Sequence, residues 1–156
     1  MTTSTTGTRT EDFTATLNLP ASPASVSELF TSAAGVSRWW GPTTGDAATG
    51  GTLVTSFGDY GVNAMRVLEA GPTRVVWEST MPNEGRPTGN AQEWMGTTME
   101  FDIVPSGADS RCQLRFRHAG LTPRLECWDE CLAGWTHFMS SIQACVETGT
   151  GMPFGS

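Results

Sequence analysis

The sequence predicts an α+β fold, in which one antiparallel sheet carries its helices on a single face. Residues 13–119 mostly alternate apolar and polar side chains with the period of a strand, whereas residues 125–147 repeat apolar side chains with the period of a helix. This helix would be about 34 Å long and needs a sheet to cover its apolar stripe. The stripe consists of Trp128, Cys131, Leu132, Trp135, Phe138, Met139, Ile142, Cys145 and Val146.

The first predicted elements are one strand and two short helices. Phe13 to Leu19 alternates as a half-buried strand does. Ser22-Pro23 supplies a helix cap and a first-turn proline, which predicts a short helix ending near Gly35. A second helical turn is expected from Val36 to Trp40.

Short strands fill the middle of the chain, separated by glycine- and proline-containing turns. We expect a mobile loop over 81–92 and a turn over Pro105 to Ser110. Thr122-Pro123 is expected to cap the long helix and Gly149 to end it. The predicted strands lie at 53–57, 60–69, 74–80, 94–104 and 111–118.

Length and charge indicate a single domain, over residues 11–150, between a disordered tail over 1–10 and a C-terminal tail over 151–156. The net charge of −7 argues against nucleic acid and anionic membrane as partners. No stretch approaches the ~20 apolar residues of a membrane span, and no signal peptide is visible. We therefore expect a cytoplasmic protein.

The residue types argue against covalent, metal and cofactor chemistry. All nine basic residues are arginine, so a Schiff-base lysine is absent. No nucleophile-elbow, phosphate-loop, dinucleotide-binding or zinc-protease motif occurs. Cys127 and Cys131 lie one helical turn apart without a second ligand pair. We expect no metal and no cofactor.

Aromatic side chains dominate the predicted interior. Trp39 and Trp40 are adjacent, and because neighbouring helical residues point about 100° apart, we expect only one of them to be buried and the other to line an entrance. The inward strand and helix positions either pack as a plain core or contact a ligand. They are Trp77, Met99, Phe101, Phe116 and Trp135.

Three polar residues are candidates for proton transfer or charge stabilisation. His118 lies in the inward phase at the end of its strand, where it could hydrogen-bond a ligand or move a proton; alternatively, nearby backbone satisfies its ring nitrogens. Arg66 has an ambiguous phase and, if inward, would offset the charge of a carboxylate or enolate. Tyr60 completes this weak catalytic set, whereas His137 faces solvent.

The remaining charged residues are expected on the outer sheet face, where acids and arginines would pair across strands. The acids are Glu78, Glu100 and Asp102, and the arginines are Arg111, Arg115 and Arg117.

Five segments together resemble the helix-grip (SRPBCC) superfamily of START domains, polyketide cyclases and birch-pollen-type allergens. The resemblance is strongest to the branch named for the activator of heat-shock-chaperone ATPase. It implies a curved antiparallel sheet of six to seven strands around the C-terminal helix, with ligand space between them and the two short helices at its mouth. The segments are Val36-Ser37-Arg38-Trp39-Trp40-Gly41-Pro42, Gly50-Gly51, Glu69 to Val76, His118-Ala119-Gly120-Leu121 and Gly134-Trp135.

Three functions follow from this resemblance and the residues above. The first is binding of a hydrophobic or aromatic small molecule in an internal cavity between the sheet and the helix, through Trp39, Trp40 and His118 together with the inward residues above. The second is a cofactor-independent cyclase or dehydratase acting on a polyketide-like substrate. The third is modulation of a chaperone ATPase. A homodimer also stays open.

Overall fold

A computed structural model describes residues 12–58, 62–80, 95–123 and 128–154, with side chains omitted at 108 and 109. The first strand occurs as predicted, two short helices follow it with other bounds than predicted, and one long helix closes the chain. The first short helix ends at Ser27 rather than near Gly35. The strands are β1 (Phe13–Leu19), β2 (Thr43–Gly45), β3 (Thr52–Ser56), β4 (Val62–Ala70), β5 (Arg74–Thr80), β6 (Thr98–Ser106) and β7 (Ala108–Ala119). The helices are α1 (Pro23–Ser27), α2 (Ala33–Ser37) and α3 (Trp128–Thr148).

Seven described strands form one antiparallel sheet in the order β1-β7-β6-β5-β4-β3-β2. β2 to β7 are a meander of sequence neighbours, whereas β1 pairs with β7 along its whole length, from Phe13 opposite His118 to Leu19 opposite Cys112. α1 lies against β6 and β7, and α3 lies against β1. The predicted α+β arrangement is confirmed. Several predictions concern residues outside the described ones: the disordered tail over 1–10, the catalytic candidate Tyr60, the loop over 81–92 and the start of the long helix.

Serine caps begin both short helices. The Ser22 hydroxyl accepts the backbone N–H of Ser25 at 3.2 Å, with Pro23 in the first turn, as predicted. α2 begins earlier than expected because Ser32 caps it, accepting the N–H of Gly35 at 2.9 Å. A Cβ at Gly35 would lie 2.0 Å from the Glu28 carbonyl oxygen, so glycine permits the close approach of the two helices.

The turn between β6 and β7 is tighter than the predicted Pro105 to Ser110 segment. β6 continues to Ser106 and β7 begins at Ala108, so Gly107 alone separates them. Gly107 has a φ of +85°, which glycine adopts without a steric penalty. A register shift between Pro105 and Ser106 accommodates the proline at the strand end.

The α3 stripe is confirmed. Cys131, Trp135, Met139, Ile142 and Cys145 are buried, and the other described stripe residues are half-buried. Asp129, Glu130, His137 and Ser140 are exposed on the opposite side. The helix ends as predicted, since Gly149 has a φ of +86° and donates its N–H to the Cys145 carbonyl at 2.9 Å. No helix among the described residues is long and apolar enough to cross a membrane.

Ion pairs on the outer sheet face use other partners than predicted. Glu100 lies opposite Arg117 and Asp102 opposite Arg115 in the β6–β7 register. The shortest ion pairs, however, are Arg74 to Asp102 and Arg117 to Asp12, both at 2.6 Å. The arginines are more than a third exposed, so these pairs contribute little to stability.

Candidate functional site

Seven buried aromatic rings lie between the sheet and α3, and we call them the aromatic stack. Trp40 is at its centre, with its ring centroid 5.5 Å from Trp39, 5.7 Å from Trp77 and 5.6 Å from Trp135, and with nearly parallel planes in all three pairs. These separations are typical of favourable ring packing. The members are Phe30, Trp39, Trp40, Trp77, Phe101, Phe116 and Trp135.

The prediction that only one of Trp39 and Trp40 is buried was wrong, because both side chains have no exposed surface. The prediction assumed that the turn meets a single buried surface. Instead, the turn lies between two layers: Trp39 packs on Phe30 at 5.5 Å, and Trp40 packs on Trp135 of α3 at 5.6 Å. Both directions from this turn therefore lead into the interior.

Two indoles of the aromatic stack donate hydrogen bonds to protein acceptors. Trp39 Nε1 donates to the Leu29 carbonyl at 2.8 Å, and Trp135 Nε1 donates to Nδ1 of His118 at 2.9 Å. Trp77 Nε1 is buried and has no hydrogen-bond acceptor among the described residues. An indole nitrogen can only donate, so this group lacks the partner that a buried N–H normally has.

His118 is buried near the end of β7, and its two ring nitrogens form hydrogen bonds with side chains rather than with the backbone. Nδ1 accepts from Trp135, so it carries no proton; Nε2 then carries the proton and donates to Thr97 Oγ1, 2.7 Å away. Burial lowers the pKa of His118 to about 3, and the negative charge of Asp12 opposes this only weakly. His118 is therefore a neutral imidazole with both nitrogens engaged.

A row of inward-facing polar side chains crosses the sheet at one end, and we call it the polar belt. Thr55 lies opposite Asn63, and Ser79 donates its hydroxyl to Asn63 Oδ1 at 2.8 Å. The Ser79 N–H donates to the carbonyl of Thr97, the residue before β6, at 2.9 Å, which continues the row to the start of that strand. The members are Thr43, Thr55, Asn63, Ser79 and His118, on β2, β3, β4, β5 and β7, and Thr97, which directly precedes β6.

Sequence reasoning identified only His118 in this belt. Its other members are hydroxyl and amide residues in the inward phase of short strands, where polar groups need hydrogen-bonding partners. The signal was available in the strand phases, since Thr55 shares the inward phase of Leu53 and Ser79 shares that of Trp77. What the phases do not reveal is the strand register that aligns them.

Three half-buried phenyl rings connect the aromatic stack to the surface, and we call them the aromatic mouth: Phe57, Phe138 and Phe154. Phe57 lies edge-on to Trp40 with 5.4 Å between centroids. Phe138 and Phe154 lie 6.0 Å and 5.9 Å from Phe57. A continuous path of aromatic rings therefore leads from the buried indoles to solvent.

Residues 149–154 bind the backbone of the Trp39–Trp40 turn. Ser141 donates its hydroxyl to the Trp39 carbonyl at 2.8 Å and accepts the Met152 N–H at 2.7 Å. Phe154 donates its N–H to the Trp40 carbonyl at 2.9 Å. This C-terminal segment thereby positions both the central indole of the stack and one ring of the mouth.

The structure brings most predicted ligand-contact residues together and separates the catalytic candidates. The six aromatic candidates all belong to the aromatic stack, and Met99 is buried opposite His118. Arg66 is exposed between the buried Met65 and Val67, so its conditional inward orientation is excluded. The described residues contain no group of three or more His, Cys, Asp or Glu that could hold a metal ion.

Comparison with solved structures finds several proteins of similar architecture. The Aha1 dimer from Colwellia psychrerythraea matches with a TM-score of 0.72 and 22% identity, over 90% of this chain and 98% of that one. CalU16 from Micromonospora echinospora matches with a TM-score of 0.66 and 15% identity, over 87% and 74%.

DynU16, from the dynemicin biosynthetic locus, matches with a TM-score of 0.66 and 20% identity over 90% of this chain, which spans only 49% of DynU16. No family model matches the sequence, and no curated protein does. At these identities the likeness concerns the fold. The chain therefore has the helix-grip fold, with Aha1, DynU16 and CalU16 among its structural neighbours.

Proposed function

We propose that the protein binds a hydrophobic or aromatic small molecule between the sheet and the C-terminal helix, where the ligand contacts Trp40 and the aromatic mouth. The observation that supports this most is the path of aromatic rings from Trp40 through Phe57 to the half-buried Phe138 and Phe154. A flat aromatic ligand would extend that series of ring contacts and remove apolar surface from water.

The chemistry of the interior favours a neutral ligand. The buried polar side chains are hydroxyls, one amide and the neutral His118, so among the described residues no buried cation would offset the charge of an anion. Burying an unpaired charge is strongly unfavourable. An uncharged aromatic compound avoids the cost of burying an unpaired charge.

The two other functions have less support. A cyclase or dehydratase would need a proton carrier, but both ring nitrogens of His118 are hydrogen-bonded and Arg66 lies outside the site. Modulation of a chaperone ATPase is supported only by the resemblance of this sequence to the branch named for that activity. The Aha1 neighbour is a dimer, which supports a homodimer of this chain as a further proposal; its mass in solution by light scattering tests it.

Titration with N-phenyl-1-naphthylamine, a neutral fluorescent aromatic amine, tests ligand binding. We expect saturable fluorescence enhancement and a one-to-one complex per chain in native mass spectrometry. Phe138→Ala should weaken binding about two- to tenfold, since one ring contact contributes roughly 0.5–1.5 kcal/mol.

Leu68→Ala is the matched control, because Leu68 is 44% exposed on the outer sheet face. We expect it to bind the probe as the unchanged protein does. Absence of saturable binding, or equal loss of binding in both variants, would contradict the proposed site.

A further inference from the structure

We infer that the ligand carries a neutral hydrogen-bond acceptor, such as an aryl carbonyl oxygen, and that the indole N–H of Trp77 is the donor that recognises it. This inference rests on the proposed function and specifies the chemical class of the ligand. It begins from the buried nitrogen of Trp77, which has no acceptor among the described residues.

The surroundings of Trp77 on the sheet offer no strong acceptor. Its cross-strand neighbours are Val67 on β4 and Met99 on β6, of which only the methionine sulfur can accept, and weakly. Phe101 packs against the indole at 4.9 Å. Leaving a buried donor without a partner costs roughly 1–3 kcal/mol, which a ligand acceptor would recover.

The other indoles show that the fold supplies acceptors where it needs them. Trp39 bonds a backbone carbonyl and Trp135 bonds an imidazole nitrogen, at 2.8 Å and 2.9 Å. Trp77 belongs to the same aromatic stack and is equally buried, yet its N–H has no such acceptor. Relative to Trp39 and Trp135, Trp77 therefore has a donor available to a bound molecule.

The position of Trp77 suits a ligand that binds at Trp40. The centroids of these two rings lie 5.7 Å apart with 22° between their planes, so a ligand that contacts Trp40 lies close to Trp77. A carbonyl oxygen is preferred over a carboxylate because the described interior has no buried cation, and over a hydroxyl because a hydroxyl would bring its own buried proton that needs a further acceptor. The ligand class is thus a planar aromatic ketone or a comparable neutral carbonyl compound.

Two nearly isosteric probes test this inference: 2-acetylnaphthalene, which has the carbonyl, and 2-isopropenylnaphthalene, a hydrocarbon in which a methylene group replaces the oxygen. Calorimetry should show about tenfold tighter binding of the ketone, the difference expected for one buried hydrogen bond. In ¹⁵N-labelled protein, the ketone should move the Trp77 indole N–H resonance downfield, and the hydrocarbon should not. The Trp77 resonance is assigned by its loss in Trp77→Phe.

Trp77→Phe should abolish the preference for the ketone. Trp39→Phe is the matched control, because it removes an indole whose N–H is already bonded to Leu29; it should preserve the ratio of the two affinities even if both decrease. If Trp77→Phe does not fold, the Trp77 resonance is assigned from its through-space contacts to Val67 and Met99, and the affinity ratio and the resonance shift in the unchanged protein decide.

Equal affinity for both probes, or a ketone preference that survives in folded Trp77→Phe, would refute the role of Trp77 while leaving aromatic ligand binding in place. Binding of N-phenyl-1-naphthylamine without binding of either naphthalene would refute the ligand class alone. Failure of all three compounds to bind would overturn the proposed function and this inference together.

Discussion

Acidification should destabilise the protein through His118. Burial lowers the pKa of this imidazole from 6.5 to about 3, so between these values the unfolded chain binds a proton that the folded chain does not. The contribution of neutral His118 to the free energy of unfolding is therefore fully present above pH 6.5 and decreases as the pH is lowered toward 3. From these two pKa values, the loss between pH 7 and pH 4 is about 3 kcal/mol.

That loss would be a large part of the 5–15 kcal/mol that typically stabilises a domain. Urea unfolding followed by tryptophan fluorescence at a series of pH values measures it. Because carboxylates also titrate in this range, the informative quantity is the difference between the unchanged protein and His118→Gln, whose amide does not titrate there. We expect the variant to lose about 3 kcal/mol less on acidification.

The matched control is His137→Gln, which keeps His118 and should still show the His118-dependent loss. Equal acid-induced losses in the unchanged protein and in His118→Gln would refute the neutral, doubly bonded imidazole. A direct check is the ¹⁵N spectrum of His118, which should show an unprotonated Nδ1 and a protonated Nε2 at pH 7.

Two glycines should respond in opposite directions to alanine: Gly35→Ala should lower the free energy of unfolding by about 3 kcal/mol, because the new Cβ meets the Glu28 carbonyl at 2.0 Å. Gly134→Ala on α3 meets no neighbouring atom within 4 Å of the new Cβ and should raise it by about 0.5–1 kcal/mol. An unchanged free energy of unfolding in Gly35→Ala would contradict the packing of the short helices. Removal of residues 151–156 should cost about 2–3 kcal/mol in urea unfolding, through lost hydrogen bonds to Ser141 and Trp40 and the lost Phe154 ring. An unchanged midpoint after this truncation would contradict a structural role for the C-terminal segment.

The sequence alone predicted most of the strands and helices, and it predicted most of the side chains of those elements that point into the interior. The stripe of α3 and the inward phase of Trp77, Phe101 and Phe116 follow from periodicity alone, because one apolar face must be buried. The helix caps at Ser22 and Gly149 follow from local hydrogen-bonding chemistry.

Other features depend on contacts between distant segments, which periodicity does not encode. Trp39 and Trp40 are both buried because a turn lies between two layers. The polar belt exists because the strand register aligns single polar residues of five strands with Thr97, which directly precedes β6. Ser141 was not predicted as a buried residue, and its role depends on Met152 and Trp39, which lie 11 and 102 residues away.

A crystal structure of the protein soaked with N-phenyl-1-naphthylamine tests ligand binding at the aromatic mouth most directly. We predict that the ring centroids of the bound probe lie within about 4.5–7 Å of those of Trp40 and Phe138. A probe found only on the outer sheet face near Leu68, with the mouth unchanged, would contradict binding between the sheet and α3.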